Sequence, residues 1–284
     1  MPVLTVQEAQ RLFPKLDSRF GTLLIKRLMH LTAIDKVNAL YDRNCQRQGV
    51  DFAGALLRDV GIDYQIGNFK RLERLPDDAF ITVSNHPYGH IDGIMLIDLM
   101  GHLRNDFKVM VNQLLGHIRA MSPNFIEVIP TANEQTGPKA ASLGGVRETL
   151  GHLDQGHPVG FFPSGAVSDL KLKERSIRDR DWQESVLRLI RKVRLPVIPV
   201  RFFDHNSSFF YSLGLVDWKI RLTRLCWEVF NKQDKTVRLG VGEIISPERQ
   251  DSCKDLDEFG QLLRSSVYDM PLPETFVRRS ELTF

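Results

Sequence analysis

Between residues 84 and 93 the chain reads Ser-Asn-His-Pro-Tyr-Gly-His-Ile-Asp-Gly, and two of these side chains suit proton transfer. His86 carries an imidazole that changes charge near neutral pH. A general base needs that property when a hydroxyl loses its proton as its oxygen attacks. Asp92 follows after five intervening residues. A carboxylate on the second ring nitrogen fixes the tautomer and stabilises the imidazolium, as in Ser-His-Asp systems; here the hydroxyl of a substrate takes the place of the serine. The same residues admit other readings. His90 is a second candidate for the reactive imidazole. His86 and His90 at H-x3-H spacing, with Asp92, suit a metal ion. A lone histidine also commonly caps a helix or sits satisfied in a core. The motif alone leaves these open.

A second stretch, Pro163-Ser164-Gly165, follows the apolar run Val159–Phe162. Backbone N–H groups after a strand can face an acceptor head group or the oxyanion of a tetrahedral intermediate; a plain strand-to-loop turn is the alternative. Ser164 does not read as a hydrolase nucleophile, because the G-x-S-x-G elbow is absent.

Both stretches need elements to position them. Residues 5 to about 58 carry apolar positions at helical spacing (Leu23, Leu24, Ile25, Leu28, Met29, then Val37, Leu40, Tyr41), with Asp35 as an N-cap. Gly61 and Leu75-Pro76-Asp77-Asp78 mark turns. From residue 80 short β-like runs alternate with helical segments. The runs are 80–83, 108–111, 125–129 (stopped by Pro130), 159–162, 197–200 and 237–241; the helices are 92–102, 139–153, about 182–193 and 256–267. This alternation predicts an α/β fold with a mixed, largely parallel sheet flanked by helices. An N-terminal helical segment, 1–60, packs on a main domain, 61–284. Ligands of such sheets bind at the carboxyl ends of strands, where both stretches fall.

Composition narrows the function classes. The 284 residues carry a net charge of +3, with 42% hydrophobic and 26% charged residues, as in an ordinary globular protein. The basic residues form no long tract, which argues against a nucleic-acid partner. Cys45, Cys226 and Cys253 lack the spacing of a disulfide framework or a structural zinc site, and a reducing compartment fits best. No secretory signal and no bilayer-spanning run are visible, so contact with a membrane is expected to be on its surface. Between residues 171 and 194 nine Lys/Arg face four acids, a balance suited to a solvated helical face or an anionic leaflet. The stretch Trp218-Lys-Ile-Arg-Leu-Thr-Arg-Leu-Cys-Trp227 mixes Trp and Leu with basic residues, as interfacial helices do, and Leu23–Leu31 is a second candidate for lipid contact.

Several ordered motifs together carry a resemblance. The form Asn85-His86-Pro87 with Gly89 and Ile91-Asp92-Gly93 is similar to the His/Asp motif of the glycerolipid (lysophospholipid) acyltransferase superfamily. It most resembles its hemolysin-like branch, which includes ornithine-lipid O-acyltransferases. Phe162-Pro-Ser-Gly-Ala-Val-Ser168, Ile177-Arg-Asp-Arg-Asp-Trp-Gln183, Pro196-Val-Ile-Pro-Val200 and Asn206-Ser-Ser-Phe-Phe-Tyr211 agree with that branch, and the likeness covers roughly residues 35 to 250. It implies an O-acyltransferase with His86 as base and Asp92 as its partner. It also implies an acyl thioester donor (acyl carrier protein or coenzyme A), a lyso-lipid acceptor, and neither metal nor cofactor. Asn85, Gly89, Phe162, Pro163, Ser164, Gly165, Ser168 and Arg178 are the expected substrate-binding residues. The place implied is the cytoplasmic side, peripheral on the inner face of the cell membrane.

Two departures from the wider superfamily matter. Its usual His-to-Asp spacing has four intervening residues and this chain has five, as the hemolysin-like branch does. Its third motif carries Glu and Arg, where this chain has Ser164 and, approximately, Val167. An Arg fork is the natural partner of phosphate. Without it the expected acceptor is an N-acyl amino acid bearing a 3-hydroxy fatty acid, giving an aminolipid of the ornithine or glycine type. Lys171, Lys173, Arg175 and Arg178 lie in the next loop as substitutes, and a 1-acylglycerol-3-phosphate acceptor is the alternative; a lipid hydrolase is the alternative from another class.

Overall fold

The computed structural model describes residues 4–12, 17–128 and 139–283. Four helices come first: α1 (Val6–Leu12), α2 (Arg19–Leu31), α3 (Ile34–Asn44) and α4 (Gly49–Val60). The spacing of apolar residues predicts this region as helical, and it is. Ser18 caps α2 by accepting the Gly21 N–H. The expected cap at Asp35 is displaced: Ala33, left-handed at φ 59°, precedes α3. Asp35 instead sits in the first turn, where its carboxylate meets His30 at 2.7 Å.

The strands are β1 (Gln65–Gly67), β2 (Ile81–Ser84), β3 (Lys108–Asn112), β4 (Phe125–Val128), β5 (Val159–Phe161), β6 (Asp169–Lys171), β7 (Ser176–Arg178), β8 (Val197–Phe202), β9 (Arg238–Val241) and β10 (Phe276–Arg278). Eight of them form one sheet in the order β10-β1-β9-β8-β2-β5-β3-β4. The pairs β1–β9, β2–β8, β2–β5, β3–β5 and β3–β4 are parallel, and β8–β9 and β1–β10 antiparallel. The expected fold class, α/β with a mixed and largely parallel sheet, is therefore the observed one. Ile129 and Pro130, the expected end of the β4 run, lie outside the described residues.

The remaining helices are α5 (Ile91–Leu103), α6 (Lys139–Asp154), α7 (Glu184–Val193), α8 (Ser208–Val216), α9 (Trp218–Thr223), α10 (Leu225–Phe230), α11 (Pro247–Asp251) and α12 (Leu256–Tyr268). One face of the sheet packs Ile198, Val200 and Leu239 against Phe52 and Leu56 of α4 and Leu96 and Leu99 of α5. The other packs Ile81, Val83 and Phe161 against Ile190 of α7 and Phe259 and Leu263 of α12. Side chains alternate along each strand, so a doubly covered sheet builds two cores.

Three parts of the fold escape the alternating pattern. β1 and β10, the latter at the sheet edge, are three-residue strands too short to show a period. The hairpin β6–β7 lies in a basic stretch that reads as loop, and its register is Asp169↔Arg178 and Lys171↔Ser176. The segment from Ser208 to Phe230 forms three successive short helices.

α5 is apolar on nearly every side and buried, yet it carries two carboxylates. Asp92 opens it. Asp98, in its middle, accepts Tyr64 Oη–H at 2.7 Å and Arg279 Nε–H at 2.7 Å, so its charge is matched by a guanidinium from beyond β10.

Candidate active site

β2 and β5 are parallel neighbours with Val83 opposite Phe161. Their carboxyl ends therefore deliver residues 84–86 and 162–164 to the same edge of the sheet. Asn85 ties this edge to β8: its Nδ2 donates to Phe202 O at 2.9 Å and its Oδ1 accepts the Phe202 N–H at 2.8 Å. Both polar atoms of Asn85 are thus engaged with the scaffold.

After His86 the loop turns on Gly89, whose φ of +79° is costly for any residue with a Cβ. The turn aims two amides inward. Asp92 Oδ2 accepts the N–H groups of Tyr88 at 3.0 Å and Gly89 at 3.2 Å, while Oδ1 accepts the Gly93 N–H at 3.0 Å. The loop carbonyls face the other way. Pro87 O accepts Tyr211 Oη–H at 2.6 Å, and Tyr88 O accepts Asn206 Nδ2–H at 3.0 Å. Held so, the five-residue loop brings His86 Nδ1 to 2.9 Å from Asp92 Oδ2. The longer spacing is absorbed in the Gly89 turn. The ring N–H is angled off the oxygen, so a small rotation of the imidazole is needed for a straight hydrogen bond. Such contacts commonly tighten when substrate binds.

Burial pushes the Asp92 carboxyl toward protonation. The facing His86 and the loop amides outweigh it, and the group is held below the ordinary carboxylate range. Burial likewise disfavours the His86 imidazolium. The Asp92 carboxylate, with Asp179 behind it, reverses the balance and raises the imidazole above its ordinary value. The pair is therefore poised to hold a transferred proton. The imidazole keeps 18% of its surface exposed against none for Asp92. Among the described residues Nε2 makes no hydrogen bond, so a substrate hydroxyl has one nitrogen to meet.

His90 is the capping residue of α5. Its Nδ1 accepts the Ile91 N–H at 2.7 Å, which places the ring proton on Nε2, 2.8 Å from Leu225 O. Burial lowers it to about 4. Both nitrogens are engaged in the neutral form, so the reading of His90 as reactive imidazole or metal ligand gives way to that of a structural cap.

On the β5 side, the Phe162 ring lies 4.3 Å from the His86 ring, centre to centre, tilted by 37°. The next turn is largely self-satisfied. Gly165 N–H donates to Phe162 O at 2.9 Å, Ser164 Oγ–H donates to Ala166 O at 2.8 Å, and Pro163 O accepts the Gln183 N–H at 2.9 Å. Of the expected backbone donors, Pro163 has no N–H and that of Gly165 closes the turn. Only Ser164 can still offer one. Val167 is buried with Phe210 and Tyr211; a Cβ at Gly89 would stand 3.1 Å from it.

Ser168 and Arg178 both adjoin Asp179, a residue with no predicted role. Ser168 N–H donates to His86 O at 2.9 Å, and its Oγ–H donates to Asp179 Oδ1 at 2.5 Å. Asp179 is fully buried and also accepts the His86 N–H at 3.1 Å. Arg178 points elsewhere, its guanidinium 5.1 Å from the Tyr268 ring centre. Asp179 stands inside the quoted Ile177–Gln183 run, so the run was found but the acting side chain was not. Asn206 and Tyr211 likewise belong to a recognised run; their hold on the loop appears only in three dimensions.

Comparison with known proteins gives the family. Two curated relatives are each named lyso-glycine lipid O-acyltransferase. One, from Bacteroides thetaiotaomicron, is 26% identical over 261 residues, covering 89% of this chain and 90% of the relative. The other, from Phocaeicola vulgatus, is 26% identical over 256 residues, covering 87% of each. A family model described as acyltransferase matches residues 8–271. With that match running through both strand ends and nearly the whole fold, the chain belongs to this acyltransferase family.

Proposed function

We propose that the enzyme moves a fatty acyl chain from an acyl thioester, on acyl carrier protein or coenzyme A, to the hydroxyl of a lyso-aminolipid of the N-acyl amino acid type. The observation that carries the base assignment is His86 Nδ1 at 2.9 Å from a buried Asp92, with the far edge of the ring open. In this reading His86 Nε2 takes the hydroxyl proton as the oxygen attacks the thioester carbonyl carbon. The tetrahedral oxyanion collapses, the C–S bond breaks, and the imidazolium returns the proton to the leaving thiolate. Asp92 stabilises the imidazolium between the two transfers.

The acceptor class rests on Val167, an apolar side chain packed beside Gly89 where a phosphate-binding Arg would stand, and on the names of the two relatives, which make glycine the first head group to test. A site on a membrane surface suits such a lipid. α2 exposes Phe20, Leu23 and Leu31, and α8 and α9 expose Phe209, Val216 and Trp218. α10, the helix after α9, meets the end of α2 where Trp227 Nε1–H donates to Leu31 O at 2.7 Å. Among the described residues no helix is long and apolar enough to cross a bilayer, so these faces would lie on the surface.

The test is lipid profiling of cells that express the wild type or His86→Ala and are supplied with mono-acylated amino acid. Di-acylated aminolipid that depends on the wild type is the expected result. Phosphatidate in its place would overturn the acceptor, and no wild-type-dependent lipid would overturn the transfer reaction.

A further inference from the structure

His86 is held by two buried carboxylates, and the mechanism above uses one. We propose that Asp179 is a positioning residue for His86, anchoring its main chain from behind while Asp92 holds its ring. This inference rests on the acyl-transfer reading and deepens it.

Asp179 follows β7 directly and is wholly buried. Its carboxylate receives three hydrogen bonds, all from neutral donors: the His86 N–H at 3.1 Å, Ser168 Oγ–H at 2.5 Å and Trp182 Nε1–H at 3.2 Å. The His86 and Trp182 N–H groups can only donate, which favours the ionised form; burial works against them and raises the Asp179 carboxyl above the ordinary carboxylate range. Among the described residues no Lys or Arg side chain pairs with it. The nearby Arg264 bonds instead to the backbone carbonyls of Asp179 and Arg180. The backbone of Asp179 is fixed as well, its N–H donating to Tyr268 Oη at 2.8 Å.

A buried carboxylate without a cation is costly to keep. Part of its task is acceptance: Oδ1 takes the His86 N–H and Ser168 Oγ–H, Oδ2 takes the Trp182 Nε1–H, and an amide could meet only one side of that set. What a charge adds beyond acceptance bears on the group that becomes a cation beside it during the reaction, His86. The other ionisable groups facing that imidazole are Asp92 across Nδ1 and His90, held neutral at the start of α5. Asp179 therefore ties three segments into one unit: the His86 loop, Ser168 before β6, and Trp182 before α7. Its charge favours the imidazolium together with that of Asp92, in agreement with the raised titration of His86.

The test is Asp179→Asn, measured by thermal midpoint, by kcat and KM against pH, and by titration of the His86 ring in the NMR spectrum, with His86→Ala to assign the signal. The expected result is a folded protein with KM changed less than about twofold, kcat lowered about tenfold, and the His86 titration and acid limb of kcat/KM moved down by about half a pH unit or more. A folded variant with unchanged kcat and unchanged His86 titration overturns the proposal. So does a lowered kcat with the titration unmoved, which is a structural effect only. Should Asp179→Asn fail to fold, the double variant Asp179→Asn/Trp182→Phe removes the indole N–H that would oppose the new amide and is measured in its place. Full activity in His86→Ala sinks the dyad itself. Loss in His86→Ala with no effect at Asp179 sinks only this inference.

Discussion

Replacing Asp92 by Asn separates two roles that a carboxylate plays beside a histidine. In a triad, Asp→Asn costs about 10⁴-fold in kcat because the amide donates to the imidazole and traps the wrong tautomer. The hydrogen bonds around Asp92 select against that outcome. Oδ2 receives two main-chain donors, from Tyr88 and Gly89, in addition to facing His86; Oδ1 receives one, from the adjacent Gly93. An Asn with its NH2 toward His86 would confront two buried N–H groups, and the flipped amide would confront one. Leaving a buried donor unmet costs about 1–3 kcal/mol, so the flipped amide wins. Its oxygen then faces His86 and the productive tautomer survives. What is lost is the charge. An opposite charge at contact shifts a pKa by about 1–3 units, and at about 1.4 kcal/mol per unit the loss in kcat for one or two units is about 10- to 100-fold. The assay is thiol release from an acyl thioester, followed against pH. The acid limb of kcat/KM moves to lower pH, because the imidazolium has lost its main partner. A loss near 10⁴-fold, or a limb that stays in place, refutes this reasoning about the amide.

Other expectations follow from the same geometry. Gly89→Ala forces a φ of +79° on a residue with a Cβ and sets that Cβ 3.1 Å from Val167; a loss of about 1–2 kcal/mol in denaturant unfolding is expected, and unchanged stability would contradict the turn. Phe162→Ala removes the ring packed 4.3 Å from His86 and is expected to lower kcat about tenfold with a smaller change in KM, by analogy with losses from misplaced catalytic groups; an unchanged kcat would show that the ring needs no wall. His90 is buried neutral and lowered to about 4, so the unfolded chain binds its proton first: stability is complete above about pH 6.5 and falls as pH drops from there toward 4. The raised His86 acts in the opposite sense: the contribution of its partners is complete below about pH 6.5 and is lost as pH rises from there through its folded value. His90→Asn, which keeps a capping side chain, should flatten the acid-side slope in urea titrations between those limits; an unaltered slope would place the titration elsewhere. Phe209→Ser with Trp218→Ser, both exposed in the wild type, should weaken sedimentation with anionic vesicles at least about tenfold, and equal binding would remove α8 and α9 from the membrane face.

The sequence made the central strands legible because each is a short apolar run buried on both faces; β2, β5 and β8 read directly from Ile81–Val83, Val159–Phe161 and Val197–Val200. His86 and Asp92 were legible because the proposed base and its partner are separated by a single short loop. Asp179 was not, since its meaning comes from a contact across 93 residues of chain. Asp35 misled for a related reason: a capping-type side chain was available, but Ala33 adopted the cap conformation and Asp35 was drawn to His30. β1 and β10 stayed hidden because a three-residue strand is defined by its partners rather than by its own pattern. The Ser164 and Gly165 turn was placed correctly at a strand end, yet its hydrogen bonds close on themselves in a way that residue types do not announce.

The link from Arg279 to Asp98 has a consequence in time. α5 begins with the partner of the base, and its middle carries a buried carboxylate that receives its guanidinium from nearly the last residues described. Domains tend to fold as units, from the N-terminus onward, as the chain is synthesised. A nascent chain that ends at Met270 would hold Asp98 with Tyr64 and His102 beside it but without the Arg279 guanidinium. It would also lack β10, which pairs with β1. The helix that presents Asp92 to His86 is therefore expected to gain stability once residue 279 can reach it. Arg279 and the strand before it thus act as a latch on that helix.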